Sequence, residues 1–168
     1  SMRIDTYNPT TGPGNWTLNS ACLALGVRTP GTIVDRRYLD ARSSFGDRVA
    51  IGRGGAGDGL RVRGPNTSAT MIGTTAVEDA DGLVAINRSG ASARQFFLNG
   101  VQEVSDSEAA NSLLNATLSI FSENNGGSFG NYSDFEADFF WAGAGLTANE
   151  QVDLHDAYAR WAAAREAV

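Results

Sequence analysis

The sequence has few of the residues that build metal centres and disulfides. Its 168 residues include one cysteine, Cys22, and one histidine, His155. A lone cysteine excludes an internal disulfide and a cysteine zinc site, and a lone histidine disfavours a histidine-based metal centre. The chain is therefore expected to fold around an ordinary hydrophobic core, for which its length and its 42% of hydrophobic residues are sufficient.

Lysine, long apolar runs and an excess of positive charge are also missing. No apolar run approaches the roughly 18 residues of a membrane span, so no membrane insertion is expected. No basic and then apolar stretch opens the chain, so a secretion signal is not expected in it either. The net charge of −6 argues against nucleic acid as a partner, because nucleic-acid binding depends on clustered positive charge.

The 13 basic residues are all arginines, and they are unevenly distributed. Residues 28–63 hold eight arginines and four aspartates, a net charge of +4, whereas the rest of the chain has a net charge of −10. This pattern fits a region that holds an anionic ligand. It equally fits the solvated outer faces of β-strands, so the charges alone leave both interpretations open.

Short apolar runs recur at intervals of about ten residues in a chain with 20 glycines. Such runs between turn residues predict β-strands, and Asn99-Gly100 between two of them predicts a tight hairpin. Nine or ten strands at this spacing are typical of a β-sandwich or jelly roll. The predicted strands cover residues 16–27, 31–34, 48–52, 60–63, 70–73, 83–86, 94–98, 101–104, 117–121 and 135–141.

The two ends of the chain depart from this strand pattern. Residues 1–15 are polar and carry two prolines and two glycines, which predicts a lead-in arm or a tag remnant. Thr147 and Glu150 are spaced as a capping box, and apolar and aromatic residues follow at helical intervals. We therefore expect a single domain over residues 16–168, ending in a helix over about residues 147–165 that packs on the sandwich.

The central hairpin and the C-terminal region carry a family resemblance. Gly82–Gly90 is followed by Arg94–Gly100, and Leu118–Phe121 is followed by a Gly/Asn loop, Phe135–Trp141 and Leu146–Glu150. The first pair resembles the central hairpin of concanavalin A-like (laminin-G-like) sandwiches, and the later segments resemble the late strand, edge strand and short helix that end them. The tryptophan usual before the central strand is absent. The resemblance implies an all-β, concanavalin A-like jelly-roll β-sandwich with a C-terminal α-helix.

The same resemblance implies a role. Versions with this helical ending are frequent in phage tail, fibre and spike proteins and in bacterial surface proteins. For this chain it implies a non-catalytic carbohydrate or cell-surface recognition module of a phage or phage-like particle, such as a tail fibre, a spike or a gene transfer agent. The implied location is a virion or extracellular particle. The implied partners are cell-surface or capsular polysaccharide and other particle proteins, and a homo-oligomer is compatible with this role.

Two alternatives to sugar recognition stay open at this point, because a fold does not fix a function. One is a structural particle-assembly module that binds no sugar, which an extended apolar patch over a sheet would favour. The other is a glycan-active hydrolase, which two carboxylates facing each other in a cleft would favour.

Three motifs resemble catalytic or cofactor sites but lack the surroundings that the chemistry needs. Glu136-Ala137-Asp138 lacks the second glutamate of glucanases with this fold, so these carboxylates are expected on the polar face of a strand. Gly126–Gly130 matches Gly-x-Ser-x-Gly without a following helix. Gly52–Gly57 matches a dinucleotide fingerprint, but a strand follows where a helix is needed. No catalytic residue is therefore predicted, and the chain is not expected to be an enzyme.

The loop of residues 122–133 contains the residue types that bind sugars. Asparagine amides hydrogen-bond to sugar hydroxyls, and an aromatic ring packs on the C–H face of a sugar. Loops on a rigid scaffold commonly carry binding residues, although an ordinary flexible turn would have the same composition. The predicted ligand contacts in this loop are Asn124, Asn125, Asn131 and Tyr132.

Charged residues of the sequence offer contacts for ligands of either sign. For an anionic polysaccharide, the predicted cations are Arg53, Arg61 and Arg63, because the arginine fork pairs with carboxylates. The acidic turn Glu78–Gly82 offers oxygen ligands for Ca²⁺ but lacks the EF-hand spacing. No cofactor is predicted, and Ca²⁺ is left open without a specific motif.

Overall fold

Two β-sheets packed face to face, with a helix on the outside, form the described part of the computed structural model. It describes residues 4–5, 8–11, 15–30, 32, 37–42, 48–52, 59–67, 69–76 and 81–167. In chain order the elements are β1 (Ile4–Asp5), β2 (Ala21–Thr29), β3 (Arg37–Arg42), β4 (Arg48–Gly52), β5 (Gly59–Arg63), β6 (Thr70–Ala76), β7 (Gly82–Gly90), β8 (Ala93–Leu98), β9 (Val101–Asp106), β10 (Ser119–Ile120), β11 (Glu123–Asn125), β12 (Ser128–Gly130), β13 (Glu136–Gly143) and α1 (Ala148–Glu166).

The strands of the described residues form one sheet of eight and one of five. The eight-stranded sheet has the order β1-β10-β3-β4-β5-β6, and the β11–β12 hairpin joins it through β3. The five-stranded sheet has the order β13-β2-β7-β8-β9. The expected all-β sandwich with a C-terminal helix is confirmed. The start of the domain at residue 16 stays a prediction, and within the predicted arm Ile4–Asp5 pairs with β10.

The main core lies between the two sheets. Leu25 of β2 and Val49 and Ile51 of β4 point into it and are fully buried. Tyr38 of β3 stacks on Phe135, with ring centroids 4.3 Å apart. Because removal of apolar surface from water is the main favourable contribution to folding, side chains that alternate inward along each strand hold the sheets together.

The outer face of the five-stranded sheet is covered by α1. Ala24, Ala85 and Phe97 form a second apolar cluster on this face with Tyr158 of the helix. Trp161 lies at the edge of the cluster and is 44% exposed. The helix thus packs its aromatic residues on the sandwich as expected, against the five-stranded sheet.

The capping box predicted at the start of α1 is present. Thr147 Oγ1 accepts a hydrogen bond from the Glu150 N–H at 3.3 Å, and the Thr147 N–H donates to Glu150 Oε2 at 2.7 Å. These bonds satisfy backbone donors that a helix leaves unpaired at its first turn. Within the described residues, no helix combines the length and the hydrophobicity that a membrane crossing requires.

Two tight turns use left-handed backbone. Asn99 and Gly100 have φ values of 52° and 75°, as a two-residue type I′ turn requires, so the predicted hairpin of β8 and β9 is confirmed. Gly126 and Gly127 have φ values of 60° and 93° and join β11 to β12 in the same way. This second hairpin is a correction, because the sequence analysis treats the segment as a loop.

The strand β3 is a second difference from the sequence analysis, which predicts no strand over residues 37–42. The strand predicted over residues 31–34 lies outside the described residues except for Thr32, which is in a bend. Three of the six residues of β3 are charged, which hides the strand in a hydrophobicity pattern. Their charges are accommodated by pairing on the outer face of the sheet, described below.

A β-bulge in β13 changes which side chains share a face. Strict alternation predicts Asp138 on the face opposite Phe139. Instead, the pairing with β2 shifts between Ala137 and Phe139, and Asp138 and Phe139 both contact the helix. Asp138 accepts a hydrogen bond from the Tyr158 hydroxyl at 3.2 Å. The predicted polar face of this strand is therefore wrong for Asp138, because the bulge adds one residue.

Gly26 of β2 allows this close approach of bulge and helix. A Cβ atom at this position would lie 2.4 Å from Asp138 Oδ1 and 2.7 Å from the Tyr158 ring. We therefore expect Gly26→Ala to lower the free energy of unfolding by about 2 kcal/mol through overpacking. Urea denaturation measures the loss.

Gly90→Ala is the matched control, because its added Cβ would meet Ala93 at 3.6 Å, an ordinary contact. We expect it to change stability by less than about 0.5 kcal/mol. Equal losses in the two variants would show that the close contact under the bulge is not a constraint.

Candidate functional site

The outer face of the eight-stranded sheet, on the side away from the core, is lined with arginines. On β4 and β5, Val49, Ile51 and Val62 point into the core, so the residues that alternate with them face outward. We call the outward set the arginine face. It consists of Arg37, Arg42, Arg48, Arg61, Arg63, Asp40 and Glu123.

The strand register brings these residues together. Arg42 of β3 is directly opposite Arg48 of β4. Ala50 of β4 lies between Asp40 and Arg63, and Gly52 lies opposite Arg61. Positions 50 and 52 carry small residues and are themselves buried. Around them, Arg37, Arg42, Arg61 and Arg63 are partly exposed.

Arg48 is held at the centre of this face by two carboxylates. Its Nε and Nη2 atoms donate to the two oxygens of Asp40 at 3.0 and 2.5 Å. Nη2 also lies 3.0 Å from Glu123 Oε1. The side chain of Asp40 is fully buried and that of Arg48 is 4% exposed. This three-residue cluster therefore ties β3, β4 and β11 together from the outside of the sheet.

Burial and pairing act on the pKa values of this cluster in opposite directions. Burial raises the pKa of the Asp40 carboxyl to about 6, although Arg48 acts to lower it. Burial lowers the pKa of Arg48, but Asp40 and Glu123 outweigh this effect and the net shift is upward. Arg48 therefore stays charged, and Asp40 titrates closer to neutral pH than an ordinary aspartate does.

Arg63 is a cation of this face whose described hydrogen bond is to a neutral group. Its Nε donates to the hydroxyl of Thr70 at 2.7 Å, and its side chain is partly exposed. Burial and the nearby charges of Arg48 and Arg37 lower the pKa of the Arg63 guanidinium. It remains protonated at neutral pH, so a bound anion would relieve repulsion among these charges.

The β11–β12 hairpin brings the predicted asparagines to the edge of the arginine face. Arg42 Nε donates to Asn125 Oδ1 at 2.9 Å. The Asn131 amide donates to Glu123 Oε2. Burial alone would raise the pKa of Glu123. The hydrogen bond from Asn131 and the charge of Arg48 lower this pKa by more, so the net shift is downward. Asn125 and Asn131 thus lie beside Arg42 and Arg48, and Tyr132 follows with 39% of its surface exposed.

The predicted ligand contacts therefore fall into separate groups. Asn125 and Asn131 lie at the β3 edge of the arginine face. Arg61 and Arg63 lie on β5 of the same face, and the strands β3 and β4 stand between them and the hairpin. Asn124 lies on the other side of the hairpin, paired with Phe129, and is 3% exposed. Arg53 lies outside the described residues. All of these contacts stay predictions.

Several residues of this site were not singled out by the sequence analysis. From the sequence, Arg37, Arg42 and Arg48 are recognised only as part of a basic region, and no role is predicted for Asp40 or Glu123. The missed signal was the alternation of apolar and charged residues over 39–42. Read as a strand, it would have placed Asp40 and Arg42 on one face.

The motifs that resemble active sites are not assembled as such. Glu136 accepts a hydrogen bond from Thr29 at the surface, and Asp138 pairs with Arg165 at 2.8 Å. Ser128 lies on β12 of one sheet, whereas His155 lies on the helix that covers the other sheet. Asp40 and Glu123 do approach each other, but both bind one guanidinium and Asp40 has no access to solvent. This arrangement does not supply the free acid and nucleophile of a glycosidase.

The calcium question is open. No cluster of three or more histidine, cysteine, aspartate or glutamate residues in the described ranges is arranged to hold a metal ion. Glu78–Ala80 lie outside those ranges, and Asp81 is exposed.

The sequence matches no protein-family model and no curated protein. Solved structures do resemble it. The CBM40 module of the Ruminococcus gnavus IT-sialidase, solved with α2,3-sialyllactose, aligns with 92% of this chain and 97% of its own, at 13% identity and a TM-score of 0.60. Domain 4 of the extracellular GH43 arabinanase AbnA from Geobacillus stearothermophilus, solved with arabinotriose, aligns with 82% of this chain and 66% of its own, at 18% identity and a TM-score of 0.54.

A third similar structure is the SAP-like pentraxin from Limulus polyphemus, with 80% of this chain and 68% of that chain aligned at 13% identity and a TM-score of 0.59. These neighbours share jelly-roll sandwiches. The fold is a concanavalin A-like jelly roll. The predicted fold is thereby confirmed, and at this level of identity the likeness carries no further than the fold. Within the concanavalin A-like sandwich, the arginine face is a property of this chain's own residues.

Arg48 and Arg63 are expected to differ in what they contribute to stability. Among the described residues, Arg48→Ala leaves the buried Asp40 carboxylate with only the Arg37 guanidinium, 4.0 Å away, and should lower the free energy of unfolding by about 3 kcal/mol. Arg63→Ala removes a partly exposed group and should cost less than about 1 kcal/mol. Urea denaturation of both variants measures the difference. If the two losses are equal, Arg48 is not the structural centre of this face.

Proposed function

We propose that this chain is a non-catalytic carbohydrate-recognition module whose arginine face binds acidic sugar units. The observation that carries the proposal is electrostatic. The five arginines and two carboxylates of the face give it a net charge of +3, in a chain whose total is −6. A face of one sign within a protein of the opposite sign concentrates ligands of complementary charge.

The chemistry of arginine favours a carboxylate as the anionic group. A guanidinium presents a planar fork of donors that matches the two oxygens of a carboxylate. Arg61 and Arg63 are partly exposed and lie next to each other on the outer side of β5. Ile72, which is 50% exposed, lies opposite Arg61 and adds an apolar contact for the C–H surface of a sugar ring.

Support also comes from what the neighbours of the same fold hold. One was solved with α2,3-sialyllactose, an oligosaccharide with a carboxylate, and another with arabinotriose. The ligand proposed here is an acidic cell-surface or capsular polysaccharide. The carrier proposed is a phage or phage-like particle, on which many copies would gain avidity from weak single sites.

The runner-up function, particle assembly without sugar binding, has less support. It would be favoured by an extended apolar patch over a sheet. In the described parts of the two sheets, one outer face is covered by α1 and the other is charged. The large exposed hydrophobic residues are scattered rather than contiguous, as with Ile72, Val101 and Val152.

Substitution of the two exposed arginines of β5 tests the proposal. A multimerised chain is applied to an array of acidic and neutral glycans and to host-cell polysaccharides, with and without EDTA. We expect saturable binding to acidic glycans that EDTA does not remove. Arg61→Gln with Arg63→Gln should weaken it at least about tenfold, because each fork–carboxylate pair is a charge-assisted contact.

Arg160→Gln is the matched control, since it removes an exposed arginine of the same charge from the helix. It should leave binding unchanged. Equal weakening in the control would mean that net charge, rather than the arginine face, governs binding. Absence of binding to every acidic glycan at high avidity would favour the assembly function.

Acidic-glycan binding is expected to depend on pH through Asp40. The charged groups facing Asp40 are Arg48, Glu123 and Arg37. As the pH falls through about 6, Asp40 takes up a proton and the face gains one positive charge, while a sugar carboxylate stays ionised. Affinity should therefore rise about twofold between pH 7.5 and pH 5.5.

Asp40→Asn separates this effect from other titrations, because it fixes the neutral state while keeping the side-chain shape. The variant should bind at pH 7.5 as tightly as the unmodified chain binds at pH 5.5, and its own profile should be flat. Calorimetric titration at both pH values measures this. A profile that persists in the variant would assign the pH dependence to another group.

A further inference from the structure

A cavity lies on the side of the β11–β12 hairpin that faces away from the arginine face. Its volume is about 450 Å³, within the range of small-molecule sites. The side chains of Asn124 and Phe129 line it, while Glu123 and Asn125 of the same hairpin belong to or border the arginine face. Because neighbouring residues of a strand point to opposite sides, the hairpin separates the two sites.

The lining of this cavity contains polar groups without charge. Three asparagines and a threonine supply amide and hydroxyl groups, two glycines supply backbone, and a phenylalanine supplies an aromatic ring. Amide and hydroxyl groups both donate and accept hydrogen bonds, as sugar hydroxyls do. None of the described lining residues carries a charge that would pair with an ionic ligand, so the lining favours a neutral one. The residues are Asn8, Asn115, Ala116, Thr117, Asn124, Gly126, Gly127 and Phe129, and the amide of Asn124 is bonded at both ends within the protein.

Hydrogen bonds hold the walls of the cavity to one another. The Asn124 amide donates to the Thr117 carbonyl at 2.6 Å and accepts from the Gly127 N–H at 2.9 Å. Next to the lining residues Asn8 and Asn115, the Thr10 hydroxyl donates to the Leu114 carbonyl at 2.8 Å. The Asn8 amide donates to Asn115 Oδ1 at 3.5 Å, and this bond and that of Thr10 join segments about 100 residues apart in the chain, whereas those of Asn124 are local. A site ordered before binding loses less entropy when a ligand enters.

The turn of the hairpin also keeps the cavity open. A Cβ atom added at Gly126 or Gly127 would have no other atom within 4 Å. The backbone of this turn is therefore accessible, and it meets the cavity beside the Phe129 ring.

We propose that this cavity is a second carbohydrate subsite that takes a neutral sugar unit. The proposal rests on the proposed function in taking a carbohydrate as the ligand, and it deepens that function. With an acidic subsite on one side of the hairpin and a neutral subsite on the other, the polysaccharide that fits both carries acidic and neutral sugars in its repeating unit. Asn124 serves here as a positioning residue, since both ends of its amide are bonded within the protein.

An NMR titration of the full chain tests the neutral subsite directly. The probes are D-glucose, D-galactose, N-acetyl-D-glucosamine and arabinotriose, each raised to about 50 mM, because an uncharged single-sugar site is expected to bind in the millimolar range. We expect at least one probe to give saturable amide shifts centred on Thr117, Gly126 and Gly127. No saturable shift with any of the four probes would overturn the proposal, as would shifts centred on Arg61 and Arg63.

Two variants test whether the cavity is the binding site, and each is compared with the unmodified chain after its folding has been checked. Phe129→Ala removes the aromatic platform and should weaken neutral-sugar binding at least about fivefold. Asn115→Trp places a bulky ring on an exposed rim position, where folding is not at risk, and should block the cavity. If the shifts persist unchanged in both folded variants, the cavity is not the site.

The double variant Arg61→Gln with Arg63→Gln separates this proposal from the function of the arginine face. It should keep the neutral-sugar shifts while losing acidic-glycan binding. Neutral-sugar binding without acidic binding in the unmodified chain would overturn the arginine-face proposal and leave this one standing. The reverse pattern would overturn the neutral subsite alone.

Discussion

The arginine face of this sandwich depends on one buried ion pair. Arg48 and Asp40 lie on neighbouring strands with almost no solvent access, and Glu123 of the hairpin completes the cluster. Charges buried in this way need a partner, because an unpaired ion in the protein interior costs several kcal/mol. The register of β3 against β4 and the position of β11 are therefore coupled to this cluster. The pairing that satisfies Arg48 also fixes where the other arginines of the face stand.

A buried ion pair is weak evidence for stability, since apolar residues of similar volume often stabilise a protein as well or better. A functional explanation fits the arrangement better. Asp40 and Glu123 pair with Arg48, so their hydrogen bonds are not directed at Arg63 of the strand β5. The described polar contact of Arg63 is with a neutral hydroxyl, and its nearest charges are other arginines. The cluster thus supports a positive surface on a sheet that would otherwise repel so many like charges.

Much of the architecture could be predicted from local signals. The Asn99-Gly100 turn and the Thr147–Glu150 cap each depend on residues close in sequence, and both are present as expected. Signals that depend on distant partners were missed. β3 looks too charged for a strand until Asp40 is paired with Arg48, and Gly126-Gly127 looks like a loop because its flanks are polar rather than apolar. The bulge at Asp138 could not be predicted either, since it depends on helix packing over Gly26.

The two outer faces of the sandwich differ in what they offer to a large ligand. Helix α1 covers part of the outer face of the five-stranded sheet, whereas Arg61 and Arg63 on the outer face of the eight-stranded sheet are partly exposed. With a total charge of −6 and a net charge of +3 on the arginine face, the remainder of the chain carries −9. A polyanionic surface would repel most of the molecule and attract this one face, so electrostatics would orient the approach before any contact forms. Orientation of this kind acts on the rate of association and weakens with salt, whereas the neutral cavity behind the hairpin would act only after contact. On these two proposals, the arginine face would select a ligand at long range by its charge. The cavity would select at short range by the shape and hydrogen bonds of an uncharged sugar.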